Sequence, residues 1–220
     1  MPQEPKPDAR RAILVAAIGL FAEKGYAAAT VRDLCARAGG VNVSAVNYYF
    51  GGKGNLYAEI LRLMLTGLFD GARPGPTASG EAPTGEDALR AFVTGYCRML
   101  YGSGPLAIDL GRIYAREMLS PSPFLDAVAR QTLAPGAQEL LDLLRPLLGP
   151  DPAPGLVRRA AAFTIGTITY FAYNNEAFRR IFPDHPDITE AWEETAEEAC
   201  AFILGGLARL AVAAPREDHP

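Results

Sequence analysis

The fold is decided by one stretch of sequence, residues 30–57, which reads TVRDLCARAGGVNVSAVNYYFGGKGNLY. Apolar residues recur at helical spacing in two short segments of it, residues 31–38 and 43–50, and a glycine pair follows each segment. Thr30 and Asn42 stand just before the two segments, where their side chains can accept hydrogen bonds from the free N–H groups of a first helical turn. We therefore predict two short helices joined by a glycine turn, which is the outline of a helix-turn-helix.

Helices are also predicted on both sides of this stretch. One spans residues 8–24, capped by Asp8 and ended by Gly25, and another spans residues 53–69. Residues 71–85 are rich in Gly and Pro and predict a flexible loop. Further helices are expected at about 86–102, 105–119, 121–131, 135–148, 154–181 and 187–213. We predict an all-α protein of about nine to ten helices, with an N-terminal three-helix helix-turn-helix head and a C-terminal helical bundle body.

The second short helix has an unusual outer face. Val46 and Phe50 face inward, which leaves Ser44, Asn47 and the two tyrosines that follow Asn47 pointing elsewhere. Hydroxyl and amide groups can bond phosphates or base edges in a DNA groove, and aromatic rings can pack on sugars or thymine methyl groups. Adjacent tyrosines at helical spacing also fit ordinary half-buried packing, so the residues alone leave both interpretations open.

Charge is distributed unevenly along the chain. The net charge is −4, whereas residues 1–66 contain eight Lys and Arg against five Asp and Glu, so the head is +3 and the rest is −7. A modestly basic head on an acidic body is compatible with DNA contact by the head alone.

The same stretch resembles the N-terminal signature of the TetR/AcrR family of repressors. The matching residues are NYYFGGK at 47–53 with Leu56, preceded by FAEKGY at 21–26, and the resemblance covers about residues 10–66. A shorter segment, REMLSPSP at 116–123, is similar to the CecR-type branch of that family. Two departures stand out, namely one glycine more than usual between Ala38 and Val41, and Gly54 at the start of the following helix, where an acidic residue is common.

The resemblance implies a ligand-responsive transcriptional repressor that binds a palindromic operator in double-stranded DNA as a homodimer and is released by a small-molecule effector. It assigns DNA contact to Thr30, Arg32, Asn42, Val43, Ser44, Asn47, Tyr48, Tyr49 and Lys53. In that assignment Arg32 and Lys53 position the protein on phosphates, and Val43, Ser44 and Asn47 meet base edges. Residues 1–52 form the DNA-binding domain, 53–70 a connecting helix, 71–85 the loop, 86–213 a ligand-binding and dimerisation domain, and 214–220 a tail.

The body offers candidates for a ligand cavity. Aromatic and polar residues that could line an apolar pocket are Tyr96, Met99, Arg116, Phe163, Tyr170 and Asn174. The alternative is that the aromatic residues are ordinary core. Arg116 and Glu117 lie in an otherwise apolar helix, where they can pair across helices, face solvent or meet an anionic ligand.

Dimerisation is expected on physical grounds, because two recognition helices must reach successive major grooves about 34 Å apart. The last two long helices are the best candidates, through Val157, Ala161, Ile165, Ile168, Trp192, Ala196, Ile203 and Leu207. The alternative is that these are core helices of a monomer.

Other classes of function find little support in the sequence. It contains no Gly-rich phosphate loop, GxSxG or HExxH motif, so we expect no enzyme and no cofactor. Three scattered cysteines and two histidines lack ligand spacing, which argues against a metal. With no secretory signal and no long apolar run, we expect a cytoplasmic protein without a membrane partner. The competing hypothesis is a helical protein-interaction adaptor that does not bind DNA.

Overall fold

The structure is a computed structural model that describes residues 7–73 and 83–213, and within these ranges every regular element is helical. The helices are α1 (Pro7–Ala28), α2 (Val31–Arg37), α3 (Val43–Phe50), α4 (Lys53–Ala72), α5 (Gly85–Cys97), α6 (Pro105–Leu119), α7 (Leu125–Val128), α8 (Ala134–Leu144), α9 (Pro154–Ile181) and α10 (Trp192–Ala213). Two π-helical turns, Arg98–Gly102 and Ala129–Leu133, follow α5 and α7, and a 3₁₀ turn, Arg145–Leu148, follows α8. The all-α prediction is confirmed.

Packing divides the chain into two compact units. Among the described residues, the first, the head unit, contains 7–67 and 103–133, and the second, the body unit, contains 68–73, 83–102 and 134–213. Helices α6 and α7 thus pack in the same unit as α1–α3, although they lie far along the chain, within the predicted body. Helix α4 begins in the head unit and ends in the body unit.

The head unit is built on α1. Its apolar face buries Ile13, Ala17 and Phe21, and the helix packs on α2, α3 and, most extensively, on α6. Its regular path breaks at Gly25, whose φ of +75° is open to glycine and costly for other residues. The predicted break after Lys24 is therefore confirmed, and one further helical turn carries the element to Ala28. Asp8 lies inside the helix and not at its cap, since the helix begins at Pro7.

The connection from α2 to α3 has the predicted form. Thr30 Oγ1 accepts a hydrogen bond from Asp33 N at 3.1 Å, and Asn42 Oδ1 accepts one from Ser44 N at 3.0 Å, so both predicted caps are confirmed. The extra glycine lies in the turn, where Gly39 and Gly40 have φ values of +84° and +79°. Gly40 N donates to the carbonyl of Cys35 at 2.9 Å, which closes the turn at the end of α2.

The body unit packs α5 and α8 against the two long helices α9 and α10. Its core consists of aliphatic side chains from all four helices, including Leu89, Val93, Leu140, Leu144, Val157, Ile203 and Leu207. Residues 74–82, which make up most of the predicted loop, and the predicted tail 214–220 lie outside the described residues.

Four of the helices predicted after the loop differ from the structure, and the one predicted at 121–131 begins only at Leu125. The segment 86–102 ends in a π-helical turn, and the expected break between residues 131 and 135 does not exist, because α7, its π turn and α8 follow one another without interruption. The helix predicted from residue 187 begins at Trp192. Asp187 Oδ1 accepts hydrogen bonds from both the N–H and the hydroxyl of Thr189, and this local turn competes with the helix.

Candidate functional site

Helix α3 presents a polar and aromatic face to solvent. Of the nine residues predicted to contact DNA, seven are exposed, and the other two, Tyr49 and Lys53, are half-buried. Tyr48 projects furthest, with 71% of its surface exposed, and its ring meets that of Tyr49 edge to face at 5.2 Å between centroids. The fold thus brings the predicted residues of α3 to one accessible surface.

The opposite side of α3 anchors it to the head. Val46 and Phe50 are buried, and the Arg10 guanidinium lies 5.1 Å from the centroid of the Phe50 ring. Arg10 also forms an ion pair with Glu59 of α4. A helix of eight residues is marginal on its own in water, so these contacts are what hold its outer face in place.

Lys53 has a structural role that the sequence did not reveal. Its Nζ donates to the carbonyl of Ala29 at 2.6 Å and lies 4.3 Å from the centroid of the Tyr26 ring. The ammonium therefore satisfies a carbonyl just beyond α1 and makes a cation–π contact. An ammonium has three donors, so the bond to Ala29 leaves it able to donate to a phosphate as well.

Arg116 on α6 binds the end of α1. Its Nη2 lies 3.3 Å from the carbonyl oxygens of both Ala22 and Glu23, just before the break at Gly25. Carbonyls at a helix C-terminus lack intrahelical donors and carry partial negative charge, so a guanidinium there is favourable. Arg116 thus pairs across helices, which was one of the three alternatives left open by the sequence.

Glu117, the next residue, is buried with 3% of its surface exposed. Its Oε1 accepts from the hydroxyl of Tyr57 on α4 at 2.6 Å, and its Oε2 accepts from Ser122 N at 3.1 Å and Ser122 Oγ at 3.0 Å. Burial, together with the bond to Glu117, raises the pKa of Tyr57 far above its ordinary value, so this hydroxyl stays a donor. One carboxylate therefore joins α4, α6 and the turn after α6.

Aromatic rings pack beside the hydrogen bonds of Glu117. The Phe124 ring lies 5.0 Å from the Tyr26 ring and 6.0 Å from the Tyr57 ring between centroids. It also approaches the backbone of α4 closely, because a methyl group on Gly54 would lie 3.0 Å from Phe124 Cζ. The departure at Gly54 thus has a physical reason, which is that glycine leaves room for this ring.

The six residues predicted to line a ligand cavity do not all share one site, although Phe163 and Tyr170 both line the groove described below. Tyr96 is buried beside Phe92, Met99 lies against Gly71, and Asn174 Nδ2 donates to the carbonyl of Tyr170 in its own helix. Phe163 and Tyr170 are exposed, and Arg116 belongs to the head unit.

An apolar groove lies between α9 and α10 in the body unit. Its volume is about 940 Å³, and the residues that shape it include Phe163, Gly166, Tyr170, Ala199, Phe202 and Gly206. Two aromatic rings protrude from the groove, since Phe163 is 61% exposed and Phe202 is 74% exposed.

The predicted dimer residues lie on α9 and α10, but five of them are buried within their own chain, namely Val157, Ile168, Ala196, Ile203 and Leu207. Ala161, Ile165 and Trp192 are half-buried.

Family comparisons agree with this architecture. Residues 13–60 match the family of bacterial regulatory proteins named after TetR, and residues 85–207 match the C-terminal domain of the HTH-type transcriptional dual regulator CecR. This chain belongs to the CecR branch of the TetR family. Both resemblances drawn from residues 21–57 and 116–123 are confirmed. The TetR-family match covers the helix-turn-helix, and the CecR match covers most of α5–α10, including the Arg116 and Glu117 positions.

Individual relatives are similar to this chain in sequence or in fold. CecR from Shigella flexneri is 27% identical over 149 residues, which make up 65% of this chain and 66% of the relative's own length. The crystal structure of the TetR-family regulator PfmR from Thermus thermophilus is similar with a TM-score of 0.65 and 25% identity, and the match covers 88% of this chain and 97% of PfmR. The fatty acid degradation regulator FadR from Bacillus halodurans has the same fold, with a TM-score of 0.66, 20% identity and coverage of 93% and 98%.

Two other kinds of site are absent from residues 7–73 and 83–213. No helix there is long and apolar enough to cross a membrane. No group of three or more His, Cys, Asp or Glu side chains in those ranges is placed to hold a metal ion.

Proposed function

We propose that this TetR-family regulator is a repressor that binds a palindromic operator as a homodimer in the cytoplasm and leaves it when a small-molecule effector binds. The observation that carries the proposal is the outer face of α3, where Ser44, Asn47 and Tyr48 are exposed while Val46 and Phe50 anchor the helix from behind. Groups of this kind on a short exposed helix fit the major groove, where base edges present distinct donors and acceptors.

The DNA-binding part is tested with duplex DNA recovered by binding-site selection with the wild-type protein. Tyr48→Ala should weaken binding at least about tenfold, which corresponds to the loss of one good groove contact. Because Tyr48 is largely exposed, helicity and thermal stability should not change. Full affinity in this variant would mean that α3 does not present its recognition surface through Tyr48.

Substitutions of two exposed arginines distinguish a direct DNA contact from a general effect of the protein's charge. Arg32 belongs to the proposed interface, and Arg62 is an exposed arginine on α4 outside it. Arg32→Ala should lower the slope of log affinity against log salt by about one, whereas Arg62→Ala should leave it unchanged. Binding that hardly depends on salt would favour the protein-interaction adaptor instead.

The homodimer is proposed to form through the groove between α9 and α10. Protruding rings at Phe163 and Phe202 lie beside bare backbone at Gly166 and Gly206, so two copies related by a two-fold axis can insert rings into each other's notches. Helix pairs of this kind form four-helix contacts in dimers. Exposed apolar surface rimmed by polar residues often marks a protein–protein contact.

The dimer is tested by sedimentation with Phe202→Glu. A charge in the centre of the contact should weaken dimerisation about 30-fold or more. Leu119→Glu is the control, because Leu119 is also an exposed apolar side chain but lies on α6 in the head unit. A wild-type chain that sediments as a monomer at high concentration would defeat the proposal, as would an unchanged dimer in Phe202→Glu.

Effector release is proposed to act through α6. This helix belongs to the CecR-type match and packs in the head unit, where Arg116 and Glu117 bind α1 and α4. A ligand that shifts α6 would displace the helices that support α3 and change the affinity for DNA. Operator-binding isotherms with and without a compound that raises the thermal stability of the protein test this step. A compound that binds but leaves operator affinity unaltered would count against it.

A further inference from the structure

An exposed stripe of α10 carries opposite charges at its two ends. Its residues are Glu198, Phe202, Gly205 and Arg209, which follow one another four, three and four residues apart. At 3.6 residues per turn, these positions lie within about 60° of one another around the helix axis. All four are exposed, and the buried residues of α10 lie on the opposite side of the helix. These four residues, the α10 stripe, therefore face away from the core of the body unit.

The two charged side chains of the α10 stripe have no partners in their own chain. Neither Glu198 nor Arg209 forms an ion pair or a hydrogen bond through its side chain among residues 7–73 and 83–213. They also cannot pair with each other, because the helix separates them by about 16 Å. Both charges are therefore available to a second molecule.

Gly205, in the middle of the α10 stripe, is not required by the packing of its own chain. A methyl group on Gly205 would meet no atom within 4 Å, unlike one on Gly54, which would press on the Phe124 ring. In the interior of a helix, Gly is less stable than Ala by about 1 kcal/mol. Such a glycine is typical of a position where another group approaches the backbone closely, and here that group must come from outside the chain.

The α10 stripe is complementary to itself when it is turned around. Its spacing of four, three and four residues is the same from either end. If a second copy of α10 lies antiparallel on the first, with a two-fold axis midway along the stripe, position 198 lies opposite 209 and position 202 lies opposite 205. Each Glu198 then faces an arginine, and each Phe202 ring faces the bare backbone of a glycine. The symmetry makes both contacts twice.

We propose that Glu198 of each copy forms an ion pair with Arg209 of the other copy, and that these two pairs fix the antiparallel alignment of α10 in the dimer. The Phe202 ring of each copy packs on Gly205 of the other, between the two ion pairs. A parallel alignment would place like charges side by side, which is unfavourable, so the pattern selects one orientation. The inference rests on the proposed homodimer and specifies how its two copies align.

The experiment exchanges the two charges in the full-length protein. Glu198→Arg, Arg209→Glu and the double variant are compared with the wild type, and the dimerisation constant is measured by sedimentation at low salt. The control is Glu197→Arg, which makes the same charge change at an exposed neighbour that lies about 100° away around the helix. Because all three positions are exposed, helicity and thermal stability should not change in any variant.

Each single exchange places like charges opposite each other at both ends of the stripe, so dimerisation should weaken at least about tenfold. The double variant should recover to within about threefold of the wild type, since both pairs again have opposite charges. An equal mixture of the two single variants should form dimers with one chain of each kind, for the same reason. Glu197→Arg should dimerise as the wild type does, and added salt should reduce all these differences.

The proposed alignment would be overturned by single variants that dimerise normally, by a control as weak as the single variants, or by a double variant that does not recover. Recovery of Glu198→Arg by Arg159→Glu, at an exposed position of α9, and not by Arg209→Glu would place α9 opposite Glu198 instead. In each of these cases a dimer that Phe202→Glu dissociates still supports the proposed function. A wild-type chain that stays monomeric would overturn both proposals and would mean that a different molecule binds the stripe.

Discussion

The two units of the molecule each contain a buried tyrosine hydroxyl that joins helices, and the two hydroxyls are bonded in different ways. In the head unit, Tyr57 donates to the carboxylate of Glu117, which also accepts two bonds from Ser122. In the body unit, Tyr101 bonds backbone groups, those of Ile168 and Ala172. The first partner is a buried acceptor that needs a donor from elsewhere, and the second is a donor and an acceptor that can bond to each other.

This difference predicts opposite behaviour when the hydroxyl leaves. A buried carboxylate that loses a donor keeps its desolvation cost, so the junction at Glu117 behaves as an all-or-none contact. The carbonyl of Ile168 and the N–H of Ala172 are spaced to bond to each other within α9, so loss of the Tyr101 hydroxyl should cost less. Loss of the hydroxyl is therefore expected to cost more at Tyr57, which bonds the carboxylate between α4 and α6, than at Tyr101.

The largest effect is expected from Glu117→Ala, which removes the acceptor for three hydrogen bonds. It strands the Tyr57 hydroxyl in a buried place and opens a small cavity, so the free energy of unfolding should fall by about 3 kcal/mol. Chemical denaturation measures this, with Met118→Ala, a partly exposed neighbour on α6, as the control. A loss of stability no larger than that of the control would show that the hydrogen bonds of Glu117 do not hold α4 and α6 together.

Tyr57→Phe should have the next largest effect. It removes one hydrogen bond to a charged group and leaves Oε1 of Glu117 without its donor, which should cost about 2 kcal/mol. A double-mutant cycle with Glu117→Gln should show a coupling well above zero, because the two side chains bond directly at 2.6 Å. Independent, additive effects would contradict the assignment.

A smaller effect on stability is expected from Gly54→Ala, which tests the packing of Phe124 on α4 and not its hydrogen bonds. In a helix, Ala is more stable than Gly by about 1 kcal/mol, but a methyl group on Gly54 would press on the Phe124 ring. Gly54→Ala should therefore fail to stabilise the wild-type protein and should stabilise a Phe124→Ala background by about 1 kcal/mol. Thermal unfolding of the four proteins gives the answer, and equal shifts in both backgrounds would mean that the ring does not need the space.

The sequence predicts the head well because its signals are local. Helix α3 has the bounds that its apolar spacing predicts, and the caps at Thr30 and Asn42 are confirmed, since a cap depends on residues two or three positions away. The exposed face of α3 follows from the inward positions of Val46 and Phe50. The role of Lys53 toward Ala29 could not be predicted, because it depends on a contact across 24 residues.

The body is harder to predict because its decisive contacts are distant in sequence. An apolar stripe on α9 or α10 has the same periodicity whether it covers its own core or a second copy, and so the residues predicted for the dimer include Val157 and Ile203, which are buried in the chain itself. Arg116 has the chemistry of a ligand residue, although its partners lie more than ninety residues earlier on α1. Periodicity does not reveal the π turn at Tyr101 either.

The smallest effect is expected from Tyr101→Phe, and it is the direct counterpart of Tyr57→Phe. Both substitutions remove a buried hydroxyl that makes a bond of 2.6 Å. Tyr101→Phe should lower the free energy of unfolding by only about 0.5–1 kcal/mol, since the carbonyl of Ile168 and the N–H of Ala172 can bond to each other without the hydroxyl. Chemical denaturation under identical conditions compares the two variants. Equal losses would mean that the backbone groups of α9 do not compensate for the missing hydroxyl, and the contrast between the two tyrosines would then disappear.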